Sequence, residues 1–124
     1  MPYIQDSDLH GHGVFADKDY AQDDTIELCP YLFVSEDEVA DECILHNYMF
    51  QSAYEGDTDF MVVLGLGMVY NHGDPPNAEW EIDDKDERFV RFFALKEIKQ
   101  GEEILHDYGK QYWESRDASI TNGF

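Results

Sequence analysis

The chain has 124 residues, a length that favours one domain. Its eight Tyr, eight Phe and two Trp can fill a modest hydrophobic core, and this composition excludes a disordered chain. Asp and Glu number 28 against eight Lys and Arg, so the formal net charge is −20 and direct binding to nucleic acid or to anionic membranes is disfavoured. The acidity indicates a cationic partner, an adaptation for solubility or a salty habitat, or both.

Targeting and redox signals are few. The N-terminal residues lack a basic segment followed by an apolar one, so we expect no signal peptide. No apolar run approaches the roughly 20 residues of a membrane span, and we expect a soluble intracellular protein. Cys29 and Cys43 lie in apolar surroundings without metal-ligand spacing. We expect buried free thiols, with a single disulfide as the alternative.

The N-terminal third predicts short strands. Gly11-His12-Gly13 predicts a tight turn that leads into a strand at Val14-Phe15-Ala16. Residues 25–28 alternate in polarity and residues 31–34 are apolar and β-prone. Two strands are therefore expected, with Pro30 interrupting between them.

The next segment predicts a helix and a hairpin. Ser35 and Glu38 have the spacing of a capping box, which predicts a short acidic helix over residues 36–46. Residues 48–54 and 60–66 predict two strands joined by a turn at Glu55-Gly56-Asp57.

The second half of the chain predicts further strands. Residues 73–77 predict a loop, because they combine Gly, Asp, two Pro and Asn. Residues 78–82 and 89–95 predict strands on either side of a charged turn, and Gly101 introduces residues 102–108. Many short strands with few helices predict a mostly-β fold in one domain over residues 1–124, with its core at about 4–113 and a polar tail at 114–124.

Four short motifs follow one another along the chain. They are Gly11-x-Gly13-Val14-Phe15-Ala16, Asn71-His72-x-x-x-x-Asn77, Ala94-Leu95-x-x-Ile98-x-x-Gly101-Glu102-Glu103-Ile104 and Asp107-Tyr108-Gly109. Alone, each motif is weak, and the first lacks the third glycine of a dinucleotide-binding fingerprint. Their order and spacing resemble the SET domain over residues 4–113. Residues 64–72 and 108–113 look most like the compact bacterial and viral SET proteins, which lack flanking zinc segments.

The resemblance implies a β-clip (SET) fold of several small sheets, with the C-terminal segment threaded under a loop as a pseudoknot. Such threading would bring Asn71-His72 beside Asp107-Tyr108. It implies a protein-lysine methyltransferase that uses S-adenosylmethionine, requires no metal and acts on a basic polypeptide such as a histone tail. Such an enzyme would work in the cytoplasm or nucleus, or in the host nucleus if viral. The alternative is a non-catalytic acidic SET-like module that binds basic proteins.

The resemblance also implies roles for individual residues. Tyr108 matches the catalytic tyrosine, and Tyr48 matches a second tyrosine of the substrate channel. The expected contacts to the cofactor come from Gly11, His12, Gly13, Asn71, His72, Tyr108 and Trp113. The expected channel residues are Tyr70, Trp80, His106 and Tyr112.

Departures from the family pattern affect what can be expected. Gly73 follows Asn71-His72 where a serine is usual, so we expect a looser loop. His106 and Trp80 fall at positions linked to the number of methyl groups added, which leaves that number open. A chain this short could complete its site with its own tail or as a homodimer.

Overall fold

The structure is a computed structural model and describes residues 1–9, 11–38, 48–51 and 60–108. Almost all of its regular structure is strand. The strands are β1 (Tyr3–Asp6), β2 (His12–Phe15), β3 (Thr25–Val34), β4 (Phe50–Gln51), β5 (Phe60–Val63), β6 (Asn71–His72), β7 (Ala78–Ile82), β8 (Phe89–Ala94) and β9 (Glu103–His106). A 3₁₀ helix at Glu36–Glu38 follows β3. The predicted mostly-β fold is confirmed.

The strands form two sheets. The first has the order β1-β2-β9-β6, and the second has the order β4-β5-β3-β8-β7. Neighbouring strands are antiparallel except β6 and β9, which are parallel. Strand β9 therefore lies between β2, near the start of the chain, and β6, from its middle. This arrangement brings three distant segments together.

A single apolar core joins the two sheets. Strand β8 alternates in burial, so Val90, Phe92 and Ala94 point inward and are fully buried. Val14 of β2 and Ile104 of β9 belong to the same buried cluster. The alternation of burial along β8 and β9 thus fixes which face of each of these strands meets the core.

Pro30 does not separate two strands as expected. Strand β3 runs continuously through it, pairing with β8 up to Pro30 and with β5 from Tyr31 onward. Proline has no N–H to donate, but its carbonyl accepts a hydrogen bond from Leu64 N–H at 2.9 Å. The proline therefore lies where the strand changes partner, a position where it costs little.

The capping box and most of the hairpin prediction agree with the structure. Ser35 Oγ accepts from Asp37 N–H at 3.3 Å, and Glu38 Oε1 accepts from Ser35 N–H at 3.2 Å. Residues 36–38 form a 3₁₀ turn, and the rest of the helix predicted to residue 46 lies outside the described residues. Strands β4 and β5 pair as predicted, whereas the predicted turn at 55–57 and the end of the first hairpin strand lie outside the described residues. The second strand of the hairpin ends at Val63 instead of residue 66, because a turn begins at Leu64.

The strands predicted in the second half of the chain are present in the structure. The strand at Ala78–Ile82 is confirmed, and that at 89–95 is confirmed as Phe89–Ala94. Cys29 is a buried free thiol as expected, whereas Cys43 lies outside the described residues. None of the helices in the described part of the chain is long and apolar enough to cross a membrane.

Candidate active site

The parallel pairing of β6 with β9 creates the centre of the candidate site. Asn71 lies opposite Leu105, and His72 lies opposite His106. The Tyr108 N–H donates to His72 Nδ1 at 3.1 Å across 36 residues of sequence. The proximity expected of Asn71-His72 and Asp107-Tyr108 is therefore confirmed.

Gly73 allows the two segments to approach closely. Its N–H donates to the His106 carbonyl at 3.1 Å, and a Cβ at this position would lie 2.6 Å from the Cβ of Leu105. Residue 73 is buried against β9. The expectation that this glycine loosens the loop is wrong, because the missing side chain is what lets the loop pack tightly.

The backbone, hydroxyl and ring of Tyr108 all contact neighbouring residues of the site. Besides its backbone bond to His72, its hydroxyl donates to the Tyr70 carbonyl at 2.9 Å. Its ring centroid lies 5.2 Å from that of His72 and 4.9 Å from that of His106. Since Nδ1 of His72 accepts a hydrogen bond, the proton of its neutral imidazole lies on Nε2, which is then a donor.

Asn71 connects this centre to the N-terminal glycine segment. Its side chain is buried, and Nδ2 donates to the His12 carbonyl at 3.1 Å and to Glu103 Oε2 at 2.9 Å. The backbone at Gly11-His12-Gly13 and the pair Asn71-His72 are thus parts of one hydrogen-bonded network. His12 itself is exposed, beside Asp6.

His106 is buried among aromatic rings. Its ring lies 5.6 Å from Phe50, which stacks on it, and 5.8 Å from Phe92. Burial lowers the pKa of His106 to about 4, and the nearby His72 adds to the effect. The imidazole is therefore neutral at physiological pH. Its Nδ1 has no hydrogen-bond partner among the residues that the structure describes.

Tyr70 lies in the core instead of at an open surface. Its hydroxyl donates to Glu27 Oε1 at 2.7 Å, and its ring stacks on Phe92 at 4.3 Å. Burial and the Glu27 carboxylate raise the pKa of Tyr70. The side chain is committed to the core, so Tyr70 contacts Tyr108 through its backbone carbonyl and places its ring near His106.

The other expected channel residues are partly described. Trp80 on β7 is half-buried, and its ring lies 5.1 Å from that of Phe50. Tyr48 is half-buried and precedes β4. Tyr112 and Trp113 lie outside the described residues. The described residues contain no group of His, Cys, Asp or Glu that could hold a metal ion.

Two residues of this region were given no role by sequence reasoning. Phe50 links Trp80 to His106, and Glu103 accepts hydrogen bonds from Ser7 at 2.7 Å and Asn71 at 2.9 Å. Phe50 gave no signal beyond a β-prone segment. Glu103 belongs to one of the four motifs. A carboxylate in a largely apolar strand indicates that the side chain has a hydrogen-bond partner in the fold, and this signal was available from the sequence.

Comparisons with known proteins identify the family of the chain. The family model described as the SET domain matches residues 11–109. A histone-lysine N-methyltransferase of Schizosaccharomyces pombe, specific for H3 lysine 37, is 32% identical over 122 residues, which cover 96% of this chain and 80% of that protein.

Solved structures show the same similarity. A candidate histone methyltransferase of Plasmodium falciparum matches with a TM-score of 0.70 and 33% identity over 88% of this chain and 97% of that chain. A humanized mutant of the Chaetomium thermophilum Polycomb Repressive Complex 2, bound to the inhibitor GSK126, matches with a TM-score of 0.72 and 23% identity over 88% of this chain and 15% of that chain. At that identity, the second similarity concerns the fold alone.

Proposed function

From the premise that the chain belongs to the SET-domain family of protein-lysine methyltransferases, we propose that it transfers a methyl group from S-adenosylmethionine to a lysine of a basic polypeptide. The observation that carries this proposal is the network joining Asn71, His72 and Tyr108 to the backbone of the N-terminal glycine segment. The network lies beside a group of aromatic rings.

The donor set of this network fits the cofactor. S-adenosylmethionine would supply a methyl group on a sulfonium, together with polar amino, carboxylate and adenine groups. The backbone of Gly11, His12 and Gly13 offers polar groups to the methionine part, and Asn71 and His72 offer an amide and an N–H donor. Trp113 is proposed to stack on the adenine. Tyr108 completes the cofactor-binding set.

Tyr108 is proposed to orient the substrate amine. A free lysine has a pKa of about 10.4, so the amine must lose a proton before it can attack a methyl carbon. The surrounding aromatic rings favour the neutral amine by excluding water. Because the Tyr108 O–H donates to the Tyr70 carbonyl, its oxygen can act as an acceptor toward the amine. Correct alignment of the reacting atoms can contribute roughly 7–11 kcal/mol to the acceleration of such a reaction.

The substrate channel is proposed to run between aromatic side chains. Phe50 and Trp80 contact each other, and Phe50 stacks on His106, which contacts Tyr108. Tyr48 and Tyr112 complete the proposed wall. The buried, neutral His106 adds a polar atom to this apolar group without adding charge.

The substrate is proposed to be a Lys- and Arg-rich segment of the kind found in histone tails. A net charge of −20 attracts such a segment. The Schizosaccharomyces pombe relative is specific for a lysine of histone H3, which supports a histone-like substrate here. An enzyme with such a substrate is expected to act in the nucleus or cytoplasm.

Cofactor binding is the first test. Calorimetric titration of the purified protein with S-adenosylmethionine and S-adenosylhomocysteine should give micromolar binding that Asn71→Ala removes. Asp74→Ala, an exposed change in the following loop, is the control and should bind as the parent does. A folded parent that binds neither ligand would contradict the proposal and favour a non-catalytic acidic module that binds basic proteins.

Substitution of Tyr108 tests its assignment. Tyr108→Phe should lower the methylation rate of a basic peptide by about 10²-fold or more, because the oriented hydroxyl is lost. The cofactor dissociation constant should stay within a few-fold, since the backbone bond to His72 is kept. Tyr3→Phe removes an exposed hydroxyl and is the control. Full activity of Tyr108→Phe, measured by mass spectrometry of the peptide, would exclude this role.

A further inference from the structure

Glu103 connects three segments of the candidate site. It lies on β9 opposite Phe15 of β2, and its carboxylate accepts two hydrogen bonds. Oε1 accepts from the Ser7 hydroxyl at 2.7 Å, across 96 residues of sequence, and Oε2 accepts from Asn71 Nδ2 at 2.9 Å. One carboxylate thus holds together the β1–β2 connection, β9 and β6.

Gly13 gives this carboxylate its space. A Cβ at Gly13 would collide with Glu103 Oε2 and would lie 3.1 Å from Asn71 Nδ2. The second glycine of Gly11-x-Gly13 is therefore needed for the close approach of β2 to the Glu103–Asn71 pair. The glycine motif and the acidic motif are two parts of one arrangement.

Glu103 also fixes the orientation of the Asn71 amide. Nδ2 donates to two acceptors, the Glu103 carboxylate and the His12 carbonyl. Rotating the amide by 180° would place its oxygen against both acceptors and leave buried groups unpaired. Only one orientation satisfies both contacts, and in it the oxygen end of the amide is directed away from Glu103.

We propose that Glu103 is a positioning residue for the cofactor site, an inference that rests on the proposed function. It acts through Asn71, whose amide it orients toward the His12 carbonyl, and through the β1–β2 connection, which it binds at Ser7. Loss of this carboxylate removes an acceptor that fixes the amide and, with it, the contact to Ser7. Cofactor affinity then falls, although Glu103 itself need not touch the cofactor.

The first experiment measures cofactor affinity after removal of the carboxylate. Glu103→Ala should weaken calorimetric binding of S-adenosylhomocysteine by about tenfold or more, because a hydrogen bond to a charged group is lost and fewer contacts fix the orientation of the Asn71 amide. Glu102→Ala is the matched control: Glu102 is the neighbouring exposed carboxylate and accepts from Lys99 N–H at 2.7 Å. The control should bind as the parent does. Parent-like binding by a folded Glu103→Ala would overturn the inference.

A double-mutant experiment that exchanges the hydrogen-bond donor at Asn71 and the acceptor at Glu103 gives a second, independent measurement of cofactor affinity. Glu103→Gln alone should change affinity by about threefold or less, because its amide oxygen can accept from Asn71 while its nitrogen donates to the Ser7 hydroxyl. Asn71→Asp alone places two carboxylates against each other and should weaken binding by about tenfold or more. Adding Glu103→Gln to Asn71→Asp should restore part of the loss, about fivefold, because the glutamine nitrogen can donate to the new carboxylate.

The possible results distinguish failure of the positioning role of Glu103 from failure of the proposed function. If the parent binds but the effects of Asn71→Asp and Glu103→Gln simply add, the inference is overturned while the proposed function stands. This cycle also decides the question if Glu103→Ala does not fold. If the folded parent does not bind S-adenosylhomocysteine, both the inference and the proposed function fail.

Discussion

At the scale of single residues, His106 combines burial in the core with a lowered pKa. Its folded pKa of about 4 lies below the ordinary value of 6.5, because desolvation penalises the charged imidazole and His72 lies close by. Asp107 acts in the opposite direction. Over this interval the unfolded chain binds a proton that the folded chain excludes, so folding stability rises with pH.

His106→Phe should therefore reduce the acid sensitivity of the fold. In the parent, the contribution of His106 is fully present above about pH 6.5 and is lost progressively as the pH falls to about 4, a change on the order of 3 kcal/mol. Urea unfolding at pH 7.5 and pH 4.5 should show a smaller loss of stability in the variant. His12→Asn removes an exposed histidine and should lose as much stability as the parent. An equal loss in His106→Phe would contradict the account.

At the residue level, the resemblance to the SET domain implied the proximity of Asn71, His72 and Tyr108, and the structure confirms that proximity. The bond of Tyr70 to Glu27, across 43 residues, was not expected. A pattern along the chain singles out candidate functional side chains, but it holds no information on which distant group forms hydrogen bonds with them.

At the scale of elements, local pattern predicted strands well where burial alternates. Strand β8 is an example, with every second side chain buried. The prediction that Pro30 separates two strands was wrong. A proline destabilises a strand only where a neighbouring strand would accept a hydrogen bond from its missing N–H, and this depends on tertiary structure. The two-residue strand β6 gave no periodic signal, since its existence depends on parallel pairing with β9.

The β6–β9 contact should be sensitive to volume at position 73. Gly73→Ala introduces a Cβ that would lie 2.6 Å from Leu105, so the strands must separate. We expect a loss of about 1–3 kcal/mol in the free energy of unfolding by urea, as for other overpacked sites. The hydrogen bond between Tyr108 and His72 should weaken as well, which lowers cofactor affinity.

The control for this substitution is Asp74→Ala, the next residue, which is exposed. It should leave the urea midpoint unchanged. A Gly73→Ala variant as stable as the parent would mean that Leu105 moves aside easily and that glycine is not required here.

At the scale of the whole molecule, the net charge follows directly from the sequence, but the reason for that charge does not. A net charge of −20 attracts cationic segments, yet it equally suits a salty habitat. The two origins differ in one respect. Substrate steering acts on the encounter with a charged peptide, whereas adaptation to habitat acts on solubility and folding whatever the peptide.

Salt dependence separates these origins. Raising the salt concentration from about 0.05 M to 0.5 M shortens the Debye length severalfold, so the KM for a Lys/Arg-rich peptide should rise by about tenfold. A peptide with the same target lysine but neutral flanking residues is the control, and its KM should change by less than about twofold. Steady-state methylation assays at saturating cofactor measure both values. Equal salt sensitivity of the two peptides would assign the acidity to habitat, because only a steered substrate depends on its own charge for capture.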